Sequence, residues 1–213
     1  MARIAVIGGS GFAGRHIVEE AASRGHSVLS VARRLPGERH EGVTYIEGSI
    51  TDVPDLLRQL EGVDVVISAV SPRGGMQGLV RPNLRALFSL LPEDVRVGVV
   101  GGAGGSLIAP GGERLVDQPS FTPEYKPESL EMYGVLEDLQ DDDSDRDWFY
   151  VHPAGGFGAF NPGERTGRYR IGGDVLVTDE NGESYISGAD LAVAVLDEIE
   201  QPKHRRQRFT VGY

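Results

Sequence analysis

The sequence predicts an α/β fold: a three-layer, doubly wound parallel sheet in a single domain, with small C-terminal elements on the substrate side. Short apolar runs alternate with amphipathic stretches of helical length, and glycine-rich segments follow several of these runs. A length of 213 residues with 39% hydrophobic content suits one sheet covered on both faces. We expect the core over about residues 1–152 and the substrate-side part over about 153–213.

The chain opens with a strand, a glycine turn and a helix. Apolar Ile4–Ile7 lead into Gly8–Gly14, and apolar residues then recur at helical spacing as far as Arg24. Backbone N–H groups at such a helix N-terminus are unpaired and partially positive, so they can hold a pyrophosphate. An ordinary glycine-rich turn is the alternative. The residues predicted to line this phosphate site are Gly8, Gly9, Ser10, Gly11, Phe12, Ala13 and Gly14.

The spacing of these glycines fits two patterns. One pattern uses Gly9, Gly11 and Gly14, and the other uses Gly8, Gly11 and Gly14. Which glycine makes the tight turn stays open at this point.

A second strand, Ser27–Ala32, completes a βαβ unit, which implies a parallel sheet with a right-handed crossover. The residues at its end decide the cofactor, because an acid there accepts the ribose hydroxyls of NAD, whereas arginine holds the 2′-phosphate of NADP. Here Arg33 and Arg34 follow the strand, and no acid comes before Glu38. The sequence therefore favours NADP over NAD, with solvated loop arginines as the alternative.

The rest of the chain continues the alternation. Strands are predicted at 43–48, 63–70, 95–100, 148–153, 168–171, 174–177 and 208–211, and helices at 53–60, 78–91, 127–140 and 188–199. Asp52 and Ser187 are predicted to cap two of these helices. Residues 107–126 are predicted to form a long loop over the site. The acidic run 137–147 and the basic run 203–206 are predicted to be solvated.

Ligands of open α/β sheets bind beyond the carboxyl ends of the strands, so the residues that follow each strand are the candidate site. Small residues would let the backbone approach a dinucleotide, an imidazole can donate a hydrogen bond, and a phenyl ring can stack on a flat heterocycle. A core histidine, a core phenylalanine and a flexible glycine loop are the alternatives. The further cofactor candidates are Ala69, Val70, Ser71, Gly102, Ala103, Gly104, His152 and Pro153, and the substrate-pocket candidates are Ser106, Lys126 and Phe157.

The composition of the chain limits its partners, its metal sites and its compartment. The formal net charge is −11, from 32 acids and 21 bases, so we expect neither nucleic acid nor an anionic membrane surface as a partner. The chain has no cysteine, which excludes disulfides and thiolate metal sites and suits a reducing cytoplasm. Its first apolar run covers only Ile4–Ile7, so we expect no secretory signal and no membrane span. No metal site is predicted.

Together these features resemble the atypical short-chain dehydrogenase/reductase superfamily, and within it the small NmrA-like NAD(P)-binding proteins often labelled NADH-flavin reductases. The resemblance spans nearly the whole chain and implies a Rossmann-type fold with an NAD(P) cofactor. The stretches that carry it are 5–14, 31–33, 64–69, 99–104, 162–167 and 207–210.

One departure from that superfamily changes the expected chemistry. Its standard catalytic pair is Tyr-x-x-x-Lys, in which the ammonium lowers the pKa of the phenol. The residues four positions after the tyrosines here are Ser49, Ser129, Glu137, Ala154, Gly173 and Ala189, while Tyr213 ends the sequence. None is lysine, so no catalytic residue is assigned, and carbonyl reduction by the standard mechanism is disfavoured.

The resemblance then implies hydride transfer from NADPH to a planar acceptor such as a free flavin or a quinone, which needs ring stacking more than a proton donor. Two alternatives stay open. One is a non-catalytic NADP-binding redox sensor that reports to a protein partner. The other is a carbonyl reductase that uses Ser106 or Lys126.

Overall fold

The computed structural model describes residues 1–213 and contains one eight-stranded sheet with helices on both faces. The strands are β1 (Arg3–Ile7), β2 (Ser27–Ala32), β3 (Val43–Glu47), β4 (Val65–Ser68), β5 (Arg96–Val100), β6 (Trp148–His152), β7 (Arg170–Ile171) and β8 (Gln207–Gly212). The helices are α1 (Phe12–Ser23), α2 (Val53–Gln59), α3 (Val80–Leu90), α4 (Lys126–Gln140) and α5 (Gly188–Glu200). None of the five has the length and apolar character that crossing a membrane requires.

The order of the strands confirms the predicted doubly wound sheet. They lie in the order β3-β2-β1-β4-β5-β6-β8-β7, and every pair is parallel except β7 with β8. The chain moves outward from β1 in one direction through β2 and β3, then returns to continue from β4 in the other. This reversal between β1 and β4 opens a crevice at their carboxyl ends, where such sheets bind ligands.

Each face of the sheet has its own hydrophobic core, because parallel strands covered on both sides are apolar at successive positions. Ala5 and Ile7 of β1 point into the core beneath α2, α3 and α4, together with Trp148. Ile4 and Val6 point into the opposite core beneath α1 and α5. This arrangement places α4 and α1 on opposite sides of the crevice.

Local signals at the helix ends are confirmed. The Asp52 side chain accepts a hydrogen bond from the Asp55 N–H at 3.2 Å, and the Ser187 side chain accepts one from the Asp190 N–H at 3.0 Å. Both residues therefore cap their helices as predicted.

Three predicted strands differ clearly from those observed. The predicted strand 168–171 is reduced to Arg170–Ile171, because only these two residues pair with β8. Residues 174–177 form no strand, because Val175 makes only a single bridge to Leu107 of the long loop. β4 is shorter than predicted, because its pairing with β1 starts at Val65 and the chain leaves the sheet after the Ala69 N–H donates to the Ile7 carbonyl.

The prediction that both charged runs are solvated is also wrong in part. The Arg205 guanidinium forms an ion pair with Asp147, and Arg206 donates to the Asp142 carbonyl oxygen at 2.7 Å. The His204 ring contacts the buried Glu198 carboxylate at 2.7 Å. The two runs thus meet beside the amino ends of β6 and β8.

The predicted loop 107–126 ends at residue 125, because Lys126 begins α4, and the loop is ordered by its contacts. The Leu107 N–H donates to the Asp174 carbonyl, and the Leu176 N–H donates to the Leu107 carbonyl, each at 2.9 Å. Arg114 of the same loop lies over the Tyr133 ring of α4 at 4.4 Å. The loop is therefore tied both to the C-terminal part and to α4.

Candidate cofactor site

The turn between β1 and α1 depends on Gly8. Its φ of +85° lies in the left-handed region, and its N–H donates to the Val31 carbonyl of β2 at 2.8 Å. A Cβ added here would lie 2.8 Å from the Ala69 carbonyl oxygen, so the segment after β4 also packs against this glycine. Gly8 makes the tight turn, which selects the spacing Gly8, Gly11, Gly14 for this chain.

Gly14 allows the helix to approach the turn. A Cβ at Gly14 would lie 2.1 Å from the Gly8 carbonyl oxygen and 2.9 Å from the Gly9 Cα. Both contacts are far below normal van der Waals separation, and both are with backbone. Any larger residue at this position would therefore displace α1 from the turn.

The N-terminus of α1 has no side-chain cap. Gly11 occupies the N-cap and supplies no side-chain hydrogen bond, and the first turn holds no acidic residue. The Arg15 N–H donates to the Gly11 carbonyl at 2.9 Å, so the N–H groups of Phe12, Ala13 and Gly14 lie before the first intrahelical bond. These groups and the helix dipole make a cradle that fits an anionic diphosphate.

Arg33 and Arg34 follow directly after β2, at the same edge of the sheet as the cradle. Both are exposed, and neither makes a hydrogen bond or an ion pair with the protein. Two guanidinium groups are therefore available where the adenosine end of a dinucleotide would extend from β1 toward β2.

The segment after β4 holds the predicted residues Ala69, Val70 and Ser71, all partly buried. The Ser71 hydroxyl donates to Glu128 Oε1 at 3.0 Å, and Arg73 Nε donates to Glu128 Oε2 at 2.6 Å. Sequence reasoning missed Glu128, because no local pattern marks a residue 57 positions away as the partner of Ser71.

His152, at the carboxyl end of β6, lies beneath the segment after β5. Its Nδ1 is 2.8 Å from the Gly102 carbonyl oxygen, and its side chain is completely buried. Burial lowers the pKa of His152 to about 4. The ring is therefore neutral at neutral pH and carries its proton on Nδ1, because the Gly102 carbonyl can only accept.

The other ring nitrogen, Nε2, is buried without a hydrogen-bond partner. A Cβ at Gly105 would lie 2.7 Å from His152 Cε1, so the glycine loop after β5 sits directly against the imidazole. His152 thus supports the loop that contains Gly102, Ala103 and Gly104. Direct contact of His152 or the buried Pro153 with a cofactor stays a prediction.

The three substrate-pocket candidates occupy different environments. Ser106 is completely buried, and its hydroxyl has no partner. Lys126 is exposed at the first position of α4. The Phe157 ring packs on Phe12 with centroids 5.3 Å apart, beside the cradle. No hydrogen bond joins the three, and their contact with a substrate stays a prediction.

The fold, the open crevice and the glycine cradle define a dinucleotide-binding α/β protein. Residues 8–202 match the NAD(P)H-binding family, and the chain belongs to that family. This membership confirms the cofactor class that the sequence predicted, at the level of NAD(P).

Proteins similar over their full length support the assignment. YwnB of Bacillus subtilis, a protein of uncharacterized function, is 38% identical, and the match covers 98% of this chain and 97% of YwnB. A structure described as a candidate exported protein of Burkholderia pseudomallei is 37% identical, with a TM-score of 0.86 over 100% of both chains. A candidate NADH-flavin reductase of Streptococcus pneumoniae is 32% identical, with a TM-score of 0.85 over 100% of this chain and 99% of that one.

Proposed function

We propose that this chain is an NADPH-dependent oxidoreductase that passes hydride to a planar acceptor such as a free flavin or a quinone. The observation that carries the proposal is the open cradle at Gly8–Gly14 with the unpaired Arg33 and Arg34 beside it. The chain lacks a Tyr-x-x-x-Lys pair, which argues against carbonyl reduction by the standard mechanism.

In this proposal each part of the rim has a separate binding role. The N–H groups at the start of α1 hold the diphosphate, and the Arg33 guanidinium holds the 2′-phosphate through its planar fork. The small residues at 69–71 and 102–104 let the backbone lie close to the nicotinamide half. When bound, the nicotinamide supplies the hydride.

The acceptor side then needs to hold a flat ring at reacting distance, and water can supply the proton. Phe157, packed on Phe12 beside the cradle, offers an aromatic face for this purpose. The description of the S. pneumoniae relative as a candidate NADH-flavin reductase supports a flavin among the acceptors.

The charge balance supports a small-molecule acceptor over a polyanion. A net charge of −11 disfavours nucleic acid and anionic membrane surfaces, so the anionic cofactor depends on the local positive groups of the cradle. We propose a cytoplasmic location, with which a chain free of cysteine is compatible.

The test is steady-state oxidation of NADPH with FMN, riboflavin and small quinones, repeated with NADH. We expect turnover with at least one planar acceptor and a lower KM for NADPH than for NADH. Tight NADPH binding with no turnover across a broad acceptor panel would contradict the enzyme and support a redox sensor with a protein partner. Carbonyl reduction that falls sharply in Lys126→Ala would support a carbonyl reductase instead.

A further inference from the structure

Glu128 lies in the first turn of α4, and its carboxylate faces the segment after β4. Its two oxygens accept from the Ser71 hydroxyl at 3.0 Å and from Arg73 Nε at 2.6 Å. The side chain is 21% exposed, so it is partly open to solvent and not sealed in the core. No other carboxylate bonds to the segment 69–71.

The position of Glu128 relative to the cradle follows from the chain. Gly8, which makes the tight turn, packs against the Ala69 carbonyl. Ser71 is two residues beyond Ala69, and two residues span at most about 7 Å. A hydrogen bond then joins Ser71 to Glu128. The carboxylate therefore lies near the turn that would hold the diphosphate, on the side of β4.

The strand order indicates the direction in which a bound dinucleotide would run. Arg33 lies after β2, on the other side of β1 from β4. If Arg33 holds the adenosine end, the nicotinamide end must extend past β4 toward Glu128. The group of that half nearest to the diphosphate is a ribose with two adjacent hydroxyls.

A carboxylate suits such a diol, because it accepts hydrogen bonds from adjacent hydroxyls, as acidic residues do at the adenosine ribose of NAD sites. An ionised carboxylate has about four lone-pair sites, and the protein uses only two of those on Glu128. We propose that Glu128 binds the hydroxyls of the nicotinamide ribose and so positions the nicotinamide. This inference rests on the proposed function, since it needs a dinucleotide in the crevice.

The experiment compares two ligands that differ in the nicotinamide ribose. Calorimetry gives Kd for NADPH and for 2′,5′-ADP, which keeps the adenosine end and lacks the nicotinamide ribose. In Glu128→Ala we expect a Kd for NADPH about tenfold to a hundredfold higher, because hydrogen bonds to a charged group are lost. The Kd for 2′,5′-ADP should stay the same or fall, because one negative charge leaves the neighbourhood of an anion.

Two further variants test whether the Glu128 carboxylate is the cause of this loss of NADPH affinity. Glu128→Gln keeps the size of the side chain and one acceptor oxygen, so we expect a smaller loss in the same direction. Glu137→Gln is the matched control, because Glu137 is on the same helix, is 49% exposed and lies 3.7 Å from Arg81. It should bind both ligands like the wild type.

Either of two results would overturn the inference while leaving the proposed function intact. One is an equal loss of both ligands in Glu128→Ala, which would mean that Glu128 only ties the segment after β4 to α4. The other is unchanged or tighter NADPH binding. If the wild type binds neither 2′,5′-ADP nor NADPH, the proposed function fails and this inference fails with it.

Discussion

Replacement of Gly14 by alanine tests the packing on which the cofactor site depends. The added methyl group would lie 2.1 Å from the Gly8 carbonyl oxygen and 2.8 Å from the Gly8 carbonyl carbon. Neither atom belongs to a flexible side chain, so relief requires a shift of α1 or of the turn itself. Gly8 is held by the Val31 carbonyl and packed against Ala69, so we expect α1 to move.

Two opposing terms set the size of the effect. Forcing a methyl group into a packed site costs about 1–3 kcal/mol, and contact with rigid backbone places Gly14 at the upper end. Alanine in place of a helical glycine returns about 1 kcal/mol of helix propensity. The net loss is about 2 kcal/mol, which lowers Tm by about 4–8 °C for a chain of this length.

Scanning calorimetry measures the stability, and titration with NADPH measures the site. We expect Gly14→Ala to lose at least about tenfold in NADPH affinity, because a shift of α1 misplaces the N–H groups that hold the diphosphate. Gly37→Ala is the control for stability, because no atom lies within 4 Å of its added Cβ. A Gly14→Ala protein with the Tm and NADPH affinity of the wild type would refute the close approach of α1 to the turn.

Three further results are expected. Arg33→Ala should raise the Kd for NADPH by about tenfold or more and leave NADH almost unchanged, since only NADPH has the 2′-phosphate; equal effects would remove the argument for NADP. His152 has a pKa of 6.5 when unfolded and about 4 when folded, so the unfolded chain takes up its proton first as pH falls. The wild type should therefore lose up to about 3 kcal/mol between these values relative to its stability at neutral pH, and His152→Gln should lose less in acid denaturation; parallel profiles would contradict the buried neutral imidazole. Asp190→Ala should cost about 3 kcal/mol in denaturant unfolding, because the buried carboxylate accepts from the Thr166 and Gly167 N–H groups and the Tyr213 hydroxyl at 3.0, 2.8 and 2.5 Å; wild-type stability would show that these contacts contribute little.

Much of the fold was predictable because its signals are local. The apolar runs of β1 and β2 and the caps at Asp52 and Ser187 act within a few residues, so the sequence contains them directly. Prediction was weakest where pairing with a neighbouring strand decides whether a segment joins the sheet. The run 174–177 has the composition of a strand, but it forms only a single bridge, between Val175 and Leu107 of the long loop.

Charged side chains show the same limit. From the sequence, the basic run 203–206 and the acidic run 137–147 are two separate solvated segments. In the fold, β6 lies next to β8, which brings Arg205 to Asp147 and Arg206 to Asp142. Distance along the chain hides such partners, because an ion pair depends only on distance in space.

The sequence by itself determined the class of fold, the place of the cradle and the arginines beside it, because each depends on a short stretch of adjacent residues. Only the tertiary structure decided which glycine makes the turn, since both spacings are compatible with the sequence and the choice depends on how the segment after β4 packs against Gly8. It also decided that His152 is buried against the Gly102 carbonyl and that Glu128 faces Ser71. Those contacts join residues about fifty positions apart, which only the packing of strands and helices brings together.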